Sequence, residues 1–162
     1  MKTELVAKLM RNHDDLFDAL KDLSEEQITK IPVVGEWTIK DVIGHVSYWE
    51  QVIHAHIRES FSEGRPRPMS NDETEDIINP REAAKRKKWS WARVRAEFEN
   101  TRRALIERVE SLSESDLSFQ VPNPWWNQTH FYSIAQMIEE DALSHSREHI
   151  EQIVKCKLEV GG

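Results

Sequence analysis

The chain has 162 residues, 38% hydrophobic and 31% charged, with 5 Gly, 6 Pro and a single Cys. That is one domain's length, too apolar for a disordered chain and too poor in glycine for a sheet-and-turn protein. The net charge of −7, with basic residues interleaved among acidic ones, argues against a surface field that attracts a phosphate backbone, so nucleic acid is not expected as a direct partner. No apolar run approaches the roughly 20 residues of a membrane span, and the opening MKTELVAKLM lacks the features of a signal peptide. Together with the lone thiol of Cys156 this leads us to expect a cytoplasmic protein with no membrane partner.

Taken in chain order, the apolar spacing predicts four long helices in one domain over 1–162. Leu5, Leu9, Leu16, Leu20 and Leu23 recur at helical intervals and give a first helix from about Lys2 to Asp22. Ser24-Glu25-Glu26 then starts a short extra turn that ends before Pro32. The stretch GEWTIKDVIGHV opens a second helix, because Thr38 is a good N-cap, Asp41 completes a capping box and Trp37 can staple onto Val42. Ile39, Val42, Val46, Trp49 and Ile53 carry that helix to about Phe61. Residues 62–80, SEGRPRPMSNDETEDIINP, read as a long polar loop without periodicity. A third helix follows from Arg81 to about Leu112, and a second irregular stretch leads into a fourth helix from about Phe131 to Leu158.

Four long helices with little strand signal point to an all-α four-helix bundle. The 62–80 connection is long enough to travel the ~30 Å of a bundle, so it favours an up-down-down-up topology with a long crossover between the second and third helices, or else a mobile flap.

Two histidines stand out on the fourth helix. His145 and His149 lie four apart on its core-facing stripe, where side chains stack on one face and can share an ion. A stable site needs a third ligand, and the candidates are His13, His45, His54, His56, His130 and nearby carboxylates. His45 is the strongest, since it lies two turns past Thr38 on the inward side of the second helix. If the second and fourth helices are antiparallel, it faces the level of His145 and His149. His54 and His56 are two apart and point to nearly opposite sides. The bland alternative is that His145 and His149 are buried, neutral and hydrogen-bonded to helix carbonyls or Asp141.

His45 within WTIKDVIGHVSYWE, followed by the paired histidines of HSREHIEQI, resembles the DinB/YfiT-like metalloenzymes in helix order, loop lengths and histidine placement. The resemblance implies a divalent metal, Zn, Ni or Fe, held by His45, His145 and His149. It also implies a homodimer of the kind usual among similar bundles, and a small-molecule substrate. Some relatives are thiol transferases or isomerases that use low-molecular-weight thiols such as bacillithiol, mycothiol or glutathione. GEWTIKDVIGHVSYWE is also similar to the ClbS/DfsB-type bundles, some of which protect DNA from a reactive genotoxin. Two function classes follow: a metal-dependent hydrolase or thiol transferase, and a non-catalytic protective or binding bundle with a structural metal or none.

Other residues take provisional roles. Three neutral imidazoles leave a divalent ion with an open position for water or a thiolate. Asp141, one turn before His145, is the best residue to orient an imidazole, or else a solvated charge. Glu148 and Glu50 are weak candidates for a catalytic base, and a solvated flank is the expected place for each. HSREH fits an inverted zinc-peptidase pattern with Glu148 as base, but the further acidic ligand that pattern needs has no room in the residues after His149. Trp125, Trp126 and His130 are candidates for a pocket mouth. Cys156 reads as a small buried hydrophobe, and KRKKWSW, residues 85–91, as a solvated helix end.

Overall fold

The computed structural model describes residues 1–62, 73–123 and 130–161. Over these the chain is all-α, with two small two-stranded antiparallel sheets. Helix α1 spans Lys2–Leu20 and buries Leu5, Leu9, Asn12, Leu16, Ala19 and Leu20 on one stripe. It hands over through Asp22 at φ 69°, a left-handed conformation that a short polar side chain tolerates. Helix α2, Glu25–Lys30, is short and carries a capping box between Ser24 and Gln27.

Strands β1, Pro32–Val34, and β2, Trp37–Thr38, form a hairpin too small to leave a period-2 signature in the sequence. The hairpin feeds directly into α3, Ile39–Ser62. The expected capping box is present: the Thr38 backbone N–H and hydroxyl donate to Asp41 Oδ2 at 2.9 and 2.8 Å, and the Asp41 N–H donates back at 3.3 Å.

The third helix differs from expectation. Instead of one helix from Arg81, the chain forms α4, Glu75–Arg86, and α5, Trp91–Ser111. Ser90 breaks them apart, accepting from the Arg93 N–H at 3.2 Å as the N-cap of α5. Pro80, which reads as a loop residue, sits inside α4. The acidic Glu75 and Asp76 occupy the first turn, where the helix dipole favours them. Residues 75–80 therefore belong to a helix, and residues 63–72 lie outside the described ones.

Helix α6, Glu114–Leu117, leads to β3, Gln120–Pro122, which pairs antiparallel with β4, Phe131–Ser133, in the register Val121 to Tyr132. The last helix begins at Ile134 rather than Phe131, because Ser133 caps it in a box with Gln136. It runs through α7, Ile134–Met137, a π-helical segment, Ile138–Ser144, and α8, His145–Gly161.

The long helices touch in a ring: α1 against α5, α5 against α3, α3 against the last helix and the last helix against α1. Cross-links give the sense of each pair. Lys8 to Glu139 and Asn12 to Ser146 rise together, so α1 and the last helix are parallel. Lys2 to Leu112 and Arg102 to Leu9 run oppositely, so α1 and α5 are antiparallel. Two apolar clusters fill the ring, one around Leu9, Ile57, Leu105 and Ile138, the other around Leu16, Val42, Phe98 and Ile153.

Between them each of the four long helices contributes a buried polar residue to one layer: Asn12, Glu50, Arg102 and Ser146, each no more than 5% exposed. The Arg102 guanidinium pairs with Glu50 through two nitrogens. Its third nitrogen donates to the Leu9 carbonyl and to Asn12 Oδ1, both at 3.0 Å. Ser146 Oγ donates to the same Asn12 oxygen at 2.7 Å. The two charges of this layer, Glu50 and Arg102, are thus paired and hydrogen-bonded, the condition under which an ion pair survives in a core.

Candidate metal centre

His45 projects from α3 two turns after its cap, and His145 and His149 project from the first turns of α8, immediately beyond the π-helical segment. A π turn adds a residue and shifts the helical phase, and such segments recur at functional positions. Here the side chains that follow it meet α3. His145 Nε2 lies 3.0 Å from His45 Nε2 and 3.1 Å from His149 Nε2. A potential ligand atom from each of the three lies within 4.8 Å of the others. Bonds of about 2.1 Å to one ion put nitrogens roughly 3–3.5 Å apart, and the separations of His145 from its two neighbours match that spacing.

The hydrogen bonding points the same way. His149 Nδ1 donates to Gln152 Oε1 at 2.8 Å, which leaves the Nε2 of His149 as a lone pair aimed at the cluster. A proton on His145 Nε2 could serve only one of its two neighbours, so the other short nitrogen contact would carry no hydrogen bond. A shared cation removes that conflict. Burial, and then the neighbouring imidazoles, push the His45 pKa down to about 3, and burial followed by His149 pushes that of His145 down to about 4. His149 is lowered by burial and held up in part by Gln152. All three are neutral near pH 7, the protonation state a ligand needs.

The histidines open onto a cavity of about 430 Å³. Trp37 and Trp49 form one wall, their rings centred 5.0 and 6.4 Å from that of His45. The Trp49 indole N–H donates to Asn79 Oδ1 at 3.0 Å, tying α4 to the site. Glu75, Glu140, Asp141 and Glu148 line the remainder.

The other candidates fall as follows. Asp141 lines the cavity and accepts from the Tyr132 hydroxyl at 2.6 Å, while the residue seen to fix an imidazole is Gln152. Glu148 is exposed at the rim. Glu50 is on no solvated flank: it is 1% exposed and committed to Arg102, which leaves it no carboxylate oxygen for proton abstraction. His130 is exposed just before β4, its carbonyl accepting from the Asn123 N–H at 2.8 Å. Trp125 and Trp126 lie outside the described residues. Cys156 is half-buried rather than buried, with its thiol 3.8 Å from the Pro32 carbonyl, and stands apart from the triad. His13 packs on Phe17, and His56 is buried farther along α3.

Gln152, Asn79, Glu75 and Glu140 are missed by the sequence reading. The first has a signal, a polar residue one turn after a histidine on the same face. Asn79 and Glu75 have none once residues 62–80 are read as loop.

The model of the DinB superfamily matches residues 8–153. The chain belongs to the DinB superfamily. This DinB chain is 22% identical over 151 residues to the uncharacterized protein YuaE of Bacillus subtilis (strain 168), covering 88% of the chain and 91% of the relative. Among solved structures, the sibling lethal factor precursor DfsB aligns with a TM-score of 0.80 at 20% identity, over 98% of this chain and 96% of that one. The colibactin self-resistance protein ClbS, solved in complex with a dsDNA, aligns with a TM-score of 0.76 at 14% identity, over 96% and 94%.

The ClbS complex overturns one expectation. The net charge of −7 argues against nucleic acid as a direct partner, yet a protein of this fold is solved in complex with a dsDNA. A whole-chain sum says nothing of how charge is distributed over one face, and it is the local face that meets phosphates. Among the described residues no helix is long and apolar enough to cross a membrane.

Proposed function

We propose that His45, His145 and His149 hold one divalent metal ion and that the chain is a metal-dependent enzyme acting on a small molecule, of the hydrolase or thiol S-transferase type. The observation that carries this reading is the convergence of three imidazole Nε2 atoms at 3.0 and 3.1 Å, with one tautomer set by Gln152. Zinc, nickel and iron all suit an all-imidazole set. A divalent ion there supplies Lewis acidity and lowers the pKa of a bound water or thiol.

The chain's own residues do the rest. Gln152 orients His149. Trp37 and Trp49 keep one side of the cavity apolar and exclude water from it. Glu148, at the rim one residue before His149, is the group placed to accept a proton. The up-down-down-up path belongs to this reading, and the parallel pairing of α1 with the last helix and antiparallel pairing of α1 with α5 support it. So does a cytoplasmic setting, where a lone thiol stays reduced.

The test is metal analysis of protein purified without a polyhistidine tag. One equivalent per chain in wild type and none in His149→Ala is the expected result. The same sub-stoichiometric amount in both would sink the reading.

The likeness to DfsB and ClbS favours a second reading, a protective bundle that binds its target, DNA included, without turnover. Loss of metal that leaves such binding unchanged would favour it over the first.

A further inference from the structure

The cavity's charge is more telling than its volume. Four carboxylates line it, Glu75, Glu140, Asp141 and Glu148, and among the described residues no lysine or arginine does. Among the described residues Glu75, Glu140 and Glu148 have no cationic partner, although the same chain pairs Glu82, Glu97 and Glu139 with lysine or arginine elsewhere. The acids come from α4, from the π-helical segment and from α8, so three elements surround the histidines with one sign of charge. A divalent ion on the histidines adds +2 and leaves the lining negative.

These carboxylates do not form a second metal site. The histidine triad is the one group of three or more ligating side chains, among the described residues, whose atoms converge. The acids are spread along the wall, the arrangement that attracts a cation by its field rather than by coordination. Facing them are the indole rings of Trp37 and Trp49, surfaces that favour an organic cation and its apolar body together. Among the described lining residues, an anionic partner meets no positive charge other than the ion's.

We infer that this cavity selects a positively charged organic molecule, an amine protonated near neutral pH and joined to an apolar group, in preference to neutral or anionic molecules of the same shape. The inference rests on the proposed metal site and names its substrate class. It weighs against glutathione-like thiols, whose carboxylates bring negative charge to a negative wall.

The experiment uses three matched probes, 2-phenylethylamine, 2-phenylethanol and 3-phenylpropionate, titrated at low salt against the full chain with and without one equivalent of zinc. Tryptophan fluorescence reads binding, since two indoles line the cavity. The amine is expected to bind roughly tenfold more tightly than the alcohol, as a few carboxylates within 10 Å would give at an effective dielectric between water and protein interior. The phenylpropionate is expected to bind weakest. The amine's advantage shrinks several-fold in 0.5 M salt and in Glu75→Gln/Glu140→Gln, whose zinc stoichiometry is read separately. A propionate that binds as tightly as the amine overturns the inference, and so does an amine preference that survives the double substitution. If zinc does not bind but the amine preference appears and falls with the substitutions, the metal reading fails while the charge selection stands.

Discussion

At the scale of single residues, the site depends on which nitrogen of each imidazole carries a proton. Gln152 fixes that for His149 by accepting from Nδ1. Replacing it with leucine removes the acceptor and frees the ring, and outer partners of this kind commonly contribute 10- to 100-fold in metal affinity. Gln152→Leu is therefore expected to weaken zinc binding by roughly 10-fold or more in a chelator competition while leaving the melting temperature of the metal-free protein nearly unchanged. Unchanged affinity would remove Gln152 from the site.

The same histidines make the metal-free protein sensitive to acid. Their folded pKa values, about 3 for His45 and about 4 for His145, lie below the ordinary 6.5. Below pH 6.5 the unfolded chain takes up protons that the folded chain refuses, so stability is full above that pH and falls as the pH drops towards 4. The urea midpoint of metal-free protein should decline between pH 7 and pH 5, and His45→Phe should flatten that decline. An equal decline in the variant would assign it to other groups.

At the scale of elements, legibility followed local chemistry. The α3 start was plain in the sequence because Thr38 and Asp41 form a box that depends on spacing alone. Thr38→Ala should cost about 1 kcal/mol, read as a lowered urea midpoint. The α4–α5 division was not legible, since Pro80 signals a stop that tertiary packing overrides and the helical stripe of α4 is short. The two hairpins escaped because strands of two or three residues leave no alternation to read.

The π-helical segment was equally invisible, as a wider turn inside a long helix leaves no residue-type signature of its own. Its effect is testable. Deleting one residue within Ile138–Ser144 would restore α-helical phase and rotate His145 and His149 by about 100° relative to Ile134 and Met137. Metal binding should be abolished while helix content by circular dichroism holds. Retained metal binding would show that the phase shift is unimportant.

At the scale of the whole molecule, the site was legible because it lies on long periodic helices, where facing and level can be argued from numbers alone. His45 could be matched to His145 and His149 for that reason. The Glu50 environment could not, because a glutamate on a helix looks the same in sequence whether it faces water or an arginine half the chain away. Arg102→Met would leave Glu50 buried and unpaired, at a cost of about 3–5 kcal/mol in chemical unfolding. Adding Glu50→Met should recover much of it. A double variant as weak as the single would mean that the pair's worth lies elsewhere.

The polar layer formed by Asn12, Glu50, Arg102 and Ser146 also acts as a ruler. Apolar contacts are indifferent to which leucine meets which isoleucine, so a bundle of this kind could slide one helix by a turn at little cost. Four polar residues, one per helix, satisfy each other at only one axial setting, and any slip would push a charge into hydrocarbon. The setting they choose is the one that brings His45 level with His145 and His149. An all-leucine layer would be free to gain stability and lose the measure by which the metal centre is assembled.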